Sequence, residues 1–175
     1  MYLFIIFAEV LFWVFVVLGL ITRYMFGKKK LGGLLLLCTP VIDILLLIAV
    51  FITVSSGMEI TTATGLAACY LGITVAFGHR MIKWADVRFS YWFGKGPKPK
   101  PKYGAVHAKE ERTVWLLHLL GWAIGNALLL AIIVYVGDPQ RTAALDGLMR
   151  TWAVVLAIDF IVSFSYTFAP RKNKR

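Results

Sequence analysis

Three carboxylates, Glu9, Asp43 and Asp159, lie inside apolar stretches of this chain that are each long enough to cross a membrane. An ionised side chain within hydrocarbon is costly unless it is paired, hydrated or protonated. Each of these acids therefore needs a proton, a cation or a polar partner on another helix. We interpret them as the first candidates for an ion or substrate pathway.

Asp43 and Asp159 are predicted to lie at similar depths. Asp43 follows Lys30 by about 13 positions, which at a helical rise of about 1.5 Å places it about 18 to 20 Å from the inner face. Pro40 lacks a backbone N–H, which frees the carbonyl near Leu36 and favours a kink beside Asp43. Two interpretations stay open: a cation or proton site, or a packing kink in which Asp43 is protonated and bonded to a neighbouring helix.

Two polar residues of the fourth apolar stretch complete the predicted pathway. Asn126 adjoins the small-residue face Gly121-xxx-Gly125, for which helix packing is the favoured role, while the amide can bond to an acid on another helix. His118 lies one turn inside the inner boundary, where an imidazole can pair with a carboxylate or relay protons. The predicted pathway residues are Asp43, Asp159, Glu9, Asn126 and His118.

The elements that position these residues follow from composition. Apolar residues make up 59% of the chain and charged residues 16%, with a mean hydropathy of +0.76, so a polytopic membrane protein is expected. We predict an all-α polytopic membrane helix bundle, one membrane domain over residues 1–175, with about five transmembrane helices of about 20 residues each. The predicted spans are 2–22, 31–54, 60–77, 114–136 and 148–168. The first span has no basic segment before it and no small-residue cleavage site after it, so we interpret it as retained.

The distribution of basic residues predicts the orientation. Most lysines and arginines follow spans one, three and five, and such loops stay on the cytoplasmic side. Only Arg141 and Arg150 fall on the other side. We predict a multi-pass protein of the cell membrane with its N-terminus outside and its C-terminus in the cytoplasm. The net charge of +10 is then explained by loops that face anionic lipid, and nucleic acid is not expected as a partner.

The inner connection, residues 79–112, has three parts. Apolar residues recur at helical spacing over 79–93, which predicts a cytoplasmic interfacial amphipathic helix or a cytoplasmic extension of span three. Alternating proline and lysine over 94–102 predict an extended, semi-rigid spacer, and opposite charges over 109–112 predict a helix start. We predict contacts with anionic lipid headgroups of the inner leaflet, or with a protein partner, for Arg80, Lys83, Arg88, Trp84, Trp92, Lys95, Lys98, Lys100 and Lys102.

Metal and hydrolase chemistry have little support in the sequence. Cys38 and Cys69 fall within spans without a CxxC spacing, and the histidines are scattered, so no metal and no cofactor is expected. The serines show no arrangement with a histidine and an acid that is typical of hydrolases. A lipid-acting enzyme that uses Asp43, Asp159 or His118 as acid or base stays open, although no feature favours it.

One part of the chain carries a resemblance to known proteins. The letters GHRMIKWAD at 78–86 and FGKGP at 93–97 resemble the corresponding loop of small uncharacterised integral membrane proteins of Gram-positive bacteria. The resemblance extends loosely to the layout of the whole chain. It implies a bacterial cytoplasmic membrane and no particular activity.

Two functions from different classes are compatible with the sequence. In the first, the protein is a carrier or conduit for a proton, a cation or an amphiphile, and its intramembrane acids are the titratable sites. Because five short helices enclose little volume, a homo-oligomer is expected to complete such a pathway. In the second, it is a noncatalytic membrane subunit whose basic inner loop binds a partner or anionic lipid. Neutralising an acid distinguishes the two, because an acid that serves transport can become asparagine while the fold stays intact.

Overall fold

The computed structural model describes residues 2–57, 59–93 and 96–171, apart from the side chains of residues 2–6 and of Glu9. The described chain folds into helices without any strand, so the prediction of an all-α helix bundle is confirmed. The helices are α1 (Tyr2–Tyr24), α2 (Lys29–Ser55), α3 (Thr62–Phe93), α4 (Gly104–Val136) and α5 (Pro139–Phe168).

Four of these helices, α2 to α5, are long and apolar enough to cross a membrane. The described side chains of α1 add a shorter apolar stretch, Val10–Tyr24. Large apolar side chains such as Leu34, Leu45 and Ile161 are exposed on the outside of the bundle. So much exposed apolar surface is unusual for a soluble monomer and is expected where helices face lipid.

Helix α3 occupies the centre of the bundle. It contacts each of the other four helices, whereas α1 packs mainly on α2 and α5 packs mainly on α4. The α1–α2 pair therefore lies on one side of α3 and the α4–α5 pair on the other. This agrees with the small and weakly polar residues of span three, which allow close packing on several sides.

Glycines let the helix backbones meet at two crossings. A Cβ atom on Gly72 of α3 would lie 2.9 Å from the backbone nitrogen of Gly125 and closer still to the carbonyl oxygen of Gly121, both on α4. On the other side of the bundle, a Cβ atom on Gly32 of α2 would lie 2.6 Å from the carbonyl oxygen of Gly19 on α1. The packing role predicted for the Gly121-xxx-Gly125 face matches the first crossing.

The segment 79–93 belongs to α3, which runs unbroken from Thr62 to Phe93. Of the two alternatives for this segment, the structure shows the extension of span three. The extension continues past the predicted inner end of the span at residue 77, and two ion pairs described below hold it against α1 and α4.

Helix α5 begins at Pro139, well before the predicted span start at residue 148. The Asp138 side chain caps the helix, because its Oδ1 accepts hydrogen bonds from the backbone N–H groups of Gln140 at 2.9 Å and Arg141 at 3.2 Å. Pro139 at the first helical position also favours a helix start. The polar residues after it lower the local hydropathy, so a hydropathy pattern alone places the start too late.

Candidate functional site

Asp43 occupies the middle of α2, on the helix face that is buried against the rest of the bundle. Only 5% of the residue is exposed. Its Oδ2 atom is buried without a hydrogen-bond partner in the described part of the chain, while Thr74 on α3 lies beside the carboxyl group as a hydrogen-bond partner. A buried acid with an unsatisfied oxygen is expensive to maintain, which makes Asp43 the leading candidate for a site.

The cavity beside Asp43 has a volume of about 150 Å³ and lies between α1, α2 and α3. Three aromatic residues line it: Phe12 and Trp13 from α1 and Tyr70 from α3. Thr74 adds a hydroxyl, the remaining walls are aliphatic or thioether side chains, and none of its described lining residues is basic. The cavity therefore combines one acid with an aromatic and apolar wall.

Pro40 does not supply the free carbonyl that the sequence suggested. Helix α2 continues through Pro40, and the carbonyl oxygen of Leu36 accepts a hydrogen bond of 2.8 Å from the hydroxyl of Thr39. A neighbouring side chain thus satisfies the carbonyl that Pro40 leaves without its helical donor. Thr39 was the sequence signal for this outcome, because a threonine can bond to a carbonyl one turn earlier in its own helix.

Asp159 pairs with an ionisable side chain, whereas the described partner of Asp43 is the hydroxyl of Thr74. Its Oδ2 atom forms a hydrogen bond of 2.7 Å with Nδ1 of His118, and the His118 ring packs against Phe77 with centroids 4.7 Å apart. The side chain of Asp159 is 29% exposed and that of His118 is 43% exposed. They line a second cavity of about 160 Å³ between α3, α4 and α5. The pairing of His118 with a carboxylate was predicted as a chemical role, and the structure identifies the carboxylate.

The two acids do not share a site. Helix α3 separates their cavities, and Ile73 contributes to the lining of both. Asn126 lines neither cavity: its Nδ2 atom donates to the Trp122 carbonyl at 2.8 Å, and its Oδ1 atom is buried without a partner among the described residues. The side chain of Glu9 lies outside the described part of the chain.

At the predicted inner end, Arg80 of the α3 extension binds a residue of α4. Its Nη2 atom lies 3.0 Å from Oε1 of Glu110, and Nζ of Lys102 lies 2.9 Å from the same oxygen. Two of the residues predicted to contact lipid or a partner therefore share one carboxylate of the protein itself. The sequence placed Glu110 only in a charged helix start, because its partners are distant along the chain.

A second ion pair joins the α3 extension to α1. Arg23 Nη2 lies 3.0 Å from Asp86 Oδ2, and the Tyr24 hydroxyl donates a hydrogen bond to the same carboxylate. Burial, followed by this hydrogen bond, raises the pKa of Tyr24 to about 12. Asp86 was not predicted as a site residue, because a single acid among basic and aromatic residues resembles an ordinary interruption of an amphipathic pattern.

The other described basic residues of the predicted contact set remain exposed. Arg88 lies over the ring of Trp84, with its guanidinium carbon 4.1 Å from the centroid. Such stacking shields an aromatic face without neutralising the charge. The remaining described residues of this predicted contact set are exposed, and they are Lys83, Trp92, Lys98 and Lys100. Lys95 lies outside the described residues.

Comparison with known proteins gives the family. The chain is 44% identical over 171 residues to YmcC, an uncharacterised membrane protein of Bacillus subtilis, and the match covers 97% of this chain and 92% of YmcC. The chain belongs to the YmcC family. The resemblance to small membrane proteins of Gram-positive bacteria is thereby confirmed, and the protein is a multi-pass membrane protein. No family model matches the chain, and no solved structure matches it.

Proposed function

We propose that this protein is a carrier or conduit for a proton, a cation or an amphiphilic substrate, and that Asp43 is its binding site. The observation that carries the proposal is the buried carboxyl group of Asp43, which has an unpartnered oxygen and lines a cavity at the middle of its helix. Structural acids in membranes are usually paired with another group, whereas acids that bind protons or ions must remain available.

The chemistry proposed for the site is the exchange of a proton for a cation at the Asp43 carboxyl group. In hydrocarbon, a carboxyl group is stable as the neutral acid or as a carboxylate beside a cation. Binding and release at Asp43 therefore alternate between these two forms. A ligand that binds one form of the carboxyl group more tightly shifts the equilibrium between the two forms, and with it the packing of α1, α2 and α3 around the cavity. The size of the shift is set by the difference between the ligand's affinities for the two forms.

The pair formed by His118 and Asp159 supports a second proton-transfer step in this pathway. It lies on the other side of α3, where an imidazole bonded to a carboxyl group can relay a proton. Because α3 separates the two cavities, one copy of the chain does not connect Asp43 with Asp159. We propose that a homo-oligomer completes the route between them.

The test is proton or cation flux in liposomes that contain the purified full chain. A pH gradient is imposed across the membrane, the internal pH is followed with a trapped dye, and the electrical potential is clamped with valinomycin and potassium. We expect Asp43→Asn to reduce the flux to the level of protein-free liposomes. The matched control is Asp146→Asn, because Asp146 is an exposed acid whose only described ion pair is with Arg150 on the same helix.

Stability decides how the flux result is interpreted. Asp43→Asn should fold and melt at least as well as the parent, because the amide keeps an oxygen that can accept the hydrogen bond from Thr74, the one described partner of the carboxyl group. Unchanged flux in a folded Asp43→Asn protein would refute the proposal.

A second candidate function is binding of anionic lipid at the inner leaflet. The observation that favours it is the exposure of Lys83, Arg88, Lys98 and Lys100, for which the described residues provide no ion pair. Each basic residue near an anionic membrane surface contributes about 1 kcal/mol. Lys98→Gln with Lys100→Gln should reduce the retention of phosphatidylglycerol during purification, whereas retention of phosphatidylethanolamine should not change.

A further inference from the structure

We infer that the cavity beside Asp43 binds a small aromatic organic monocation that reaches it from the bilayer. This inference rests on the proposed function of Asp43 as a binding site and names the class of ligand. Three properties of the site lead to it: the charge inside the cavity, the nature of its walls, and the position of its rim.

The described lining of the cavity contains one acid, so its ligand should carry one positive charge. Asp43 is the only carboxylate in the described lining, and its Oδ2 atom has no partner there. The other ionisable lining residue is Tyr70 on α3, while α1 contributes Ala8, Phe12 and Trp13. The side chain of Glu9 on α1 lies outside the described part of the chain. From α4, Tyr135 meets the last turns of α2, where its hydroxyl lies 3.3 Å from that of Ser55 and its ring packs against Phe51.

A metal ion does not fit this site. Calcium takes six to eight oxygen ligands and magnesium demands a full octahedron, whereas the described cavity offers one carboxylate and the hydroxyls of Tyr70 and Thr74. The described residues contain no group of three or more histidines, cysteines or acids that could hold a metal ion. A zwitterionic ligand would also place its own carboxylate where no described lining residue is basic.

The walls favour an organic cation. Phe12, Trp13 and Tyr70 present aromatic rings around the acid, and aromatic faces attract cations strongly where water is excluded. Met81 adds a polarizable side chain that adapts to irregular ligands. A volume of about 150 Å³ equals that of an engineered cavity known to accept benzene in another protein. The cavity therefore holds a group of about the size of one aromatic ring, and its open rim at Trp13 leaves space for the rest of a small aromatic cation.

The position of the rim indicates the route of access. Trp13 lines the cavity and is 57% exposed. It lies at the middle of α1, as Asp43 lies at the middle of α2, so the rim is at the depth of the hydrocarbon core. A ligand that arrives there must first enter the bilayer, which selects an amphiphilic cation over a strongly hydrated one.

Binding is coupled to release of one proton. The O–H bond of the neutral Asp43 carboxyl group breaks, the proton passes to bulk water, and the cation takes its place beside the carboxylate. No other bond is made or broken, and no redox partner is needed. The charge within the cavity stays the same, so one proton leaves for each monocation that enters.

The test compares two probes of nearly equal shape on the purified full chain in nanodiscs. Phenyltrimethylammonium carries the positive charge, and tert-butylbenzene replaces its nitrogen with carbon. Isothermal titration in two buffers of different ionisation enthalpy measures affinity and proton release. We expect the parent to bind the cation saturably with release of about one proton, and to prefer it over the neutral probe by about tenfold or more.

Two variants locate the binding. Asp43→Asn should weaken binding of the cation by at least about tenfold while leaving the neutral probe unaffected, and Asp146→Asn should change neither. Phe12→Leu should weaken binding of the cation by about threefold to tenfold. If Asp43→Asn does not fold, the preference for the charged probe and the released proton are still measured on the parent chain.

Equal binding of the two probes by the parent, or equal binding of the cation by the parent and a folded Asp43→Asn, would overturn the inference. The liposome assay separates this failure from that of the proposed function. Flux that depends on Asp43 without any preference for the cation overturns the ligand class alone. Flux and cation binding that are both independent of Asp43 overturn the two together.

Discussion

At the scale of single residues, two acids in the same bundle have opposite surroundings. Asp43 is almost fully buried and has an oxygen without a described partner, whereas Asp159 bonds to His118 at 2.7 Å. Both acids were recognisable in the sequence from their apolar context. Their partners were not, because His118 and Asp159 lie 41 positions apart and only helix packing brings them together. Neutralising the two acids should therefore have different effects on stability.

We predict that Asp159→Asn lowers the free energy of unfolding by about 1 kcal/mol, because a neutral amide oxygen is a weaker hydrogen-bond partner for His118 than a carboxylate. Asp43→Asn should leave the stability unchanged or raise it. Thermal unfolding in detergent at neutral pH measures both changes. A double-mutant cycle with His118→Gln should show coupling for Asp159 and none for Asp43. Equal changes for the two asparagine variants would contradict this distinction.

Tyr24 provides a prediction about pH. Its pKa is raised from 10.0 to about 12, chiefly by burial and then by the hydrogen bond to Asp86. A raised pKa means that the folded state retains its proton longer than the unfolded state, so this contribution to stability is complete below about pH 10 and is lost as the pH rises through about 12. The parent should therefore lose stability over that window.

Tyr24→Phe should cost about 1 kcal/mol at neutral pH, because it removes a hydrogen bond to a carboxylate. The variant should also lose less additional stability between about pH 10 and pH 12 than the parent does. Tyr91→Phe is the matched control, because Tyr91 is an exposed tyrosine of the same α3 extension that carries Asp86. Identical pH profiles for the parent and Tyr24→Phe would show that ionisation of Tyr24 does not contribute to the loss of stability.

At the scale of elements, α3 determines the arrangement of the others. Its small residues allow close packing, and it contacts all four remaining helices. The prediction of spans was weaker at helix ends: α5 starts at Pro139 under the cap of Asp138, and hydropathy averaged over a window does not detect a cap. Local signals such as Asp-Pro therefore locate a helix start better than the apolar pattern does.

The crossing of α3 and α4 can be tested with two glycines of the same helix. Gly72→Ala should lower the free energy of unfolding by about 1 to 3 kcal/mol, because the added methyl group meets the backbone of α4. Gly78→Ala should be neutral or stabilising, since no atom lies within 4 Å of the added Cβ and alanine favours a helix over glycine. Thermal unfolding of the two variants decides, and a similar loss in both would refute close backbone contact at Gly72.

At the scale of the whole molecule, charge separates the two ends of the bundle. The ion pair of Arg23 with Asp86 and that of Arg80 with Glu110 join α1, α3 and α4 at one end, which is the end that the basic residues predict to be cytoplasmic. The side of the membrane on which a loop lies depends on how many basic residues the loop carries, and this number can be read from the sequence. The division of Asp43 and Asp159 into separate cavities depends on how all five helices pack, which a single chain's pattern does not encode.

Orientation is tested with one new cysteine at each end of the bundle, in a chain that also carries Cys38→Ala and Cys69→Ala. Asp146 is exposed near the start of α5, and Lys98 is exposed between α3 and α4. Because the first position is predicted outside and the second inside, a membrane-impermeant maleimide should label Asp146→Cys in intact cells. Lys98→Cys should react only after the membrane is opened. The reverse pattern would invert the topology, and it would also place the exposed lysines on the side away from the cytoplasmic leaflet and so contradict the lipid contacts proposed for them.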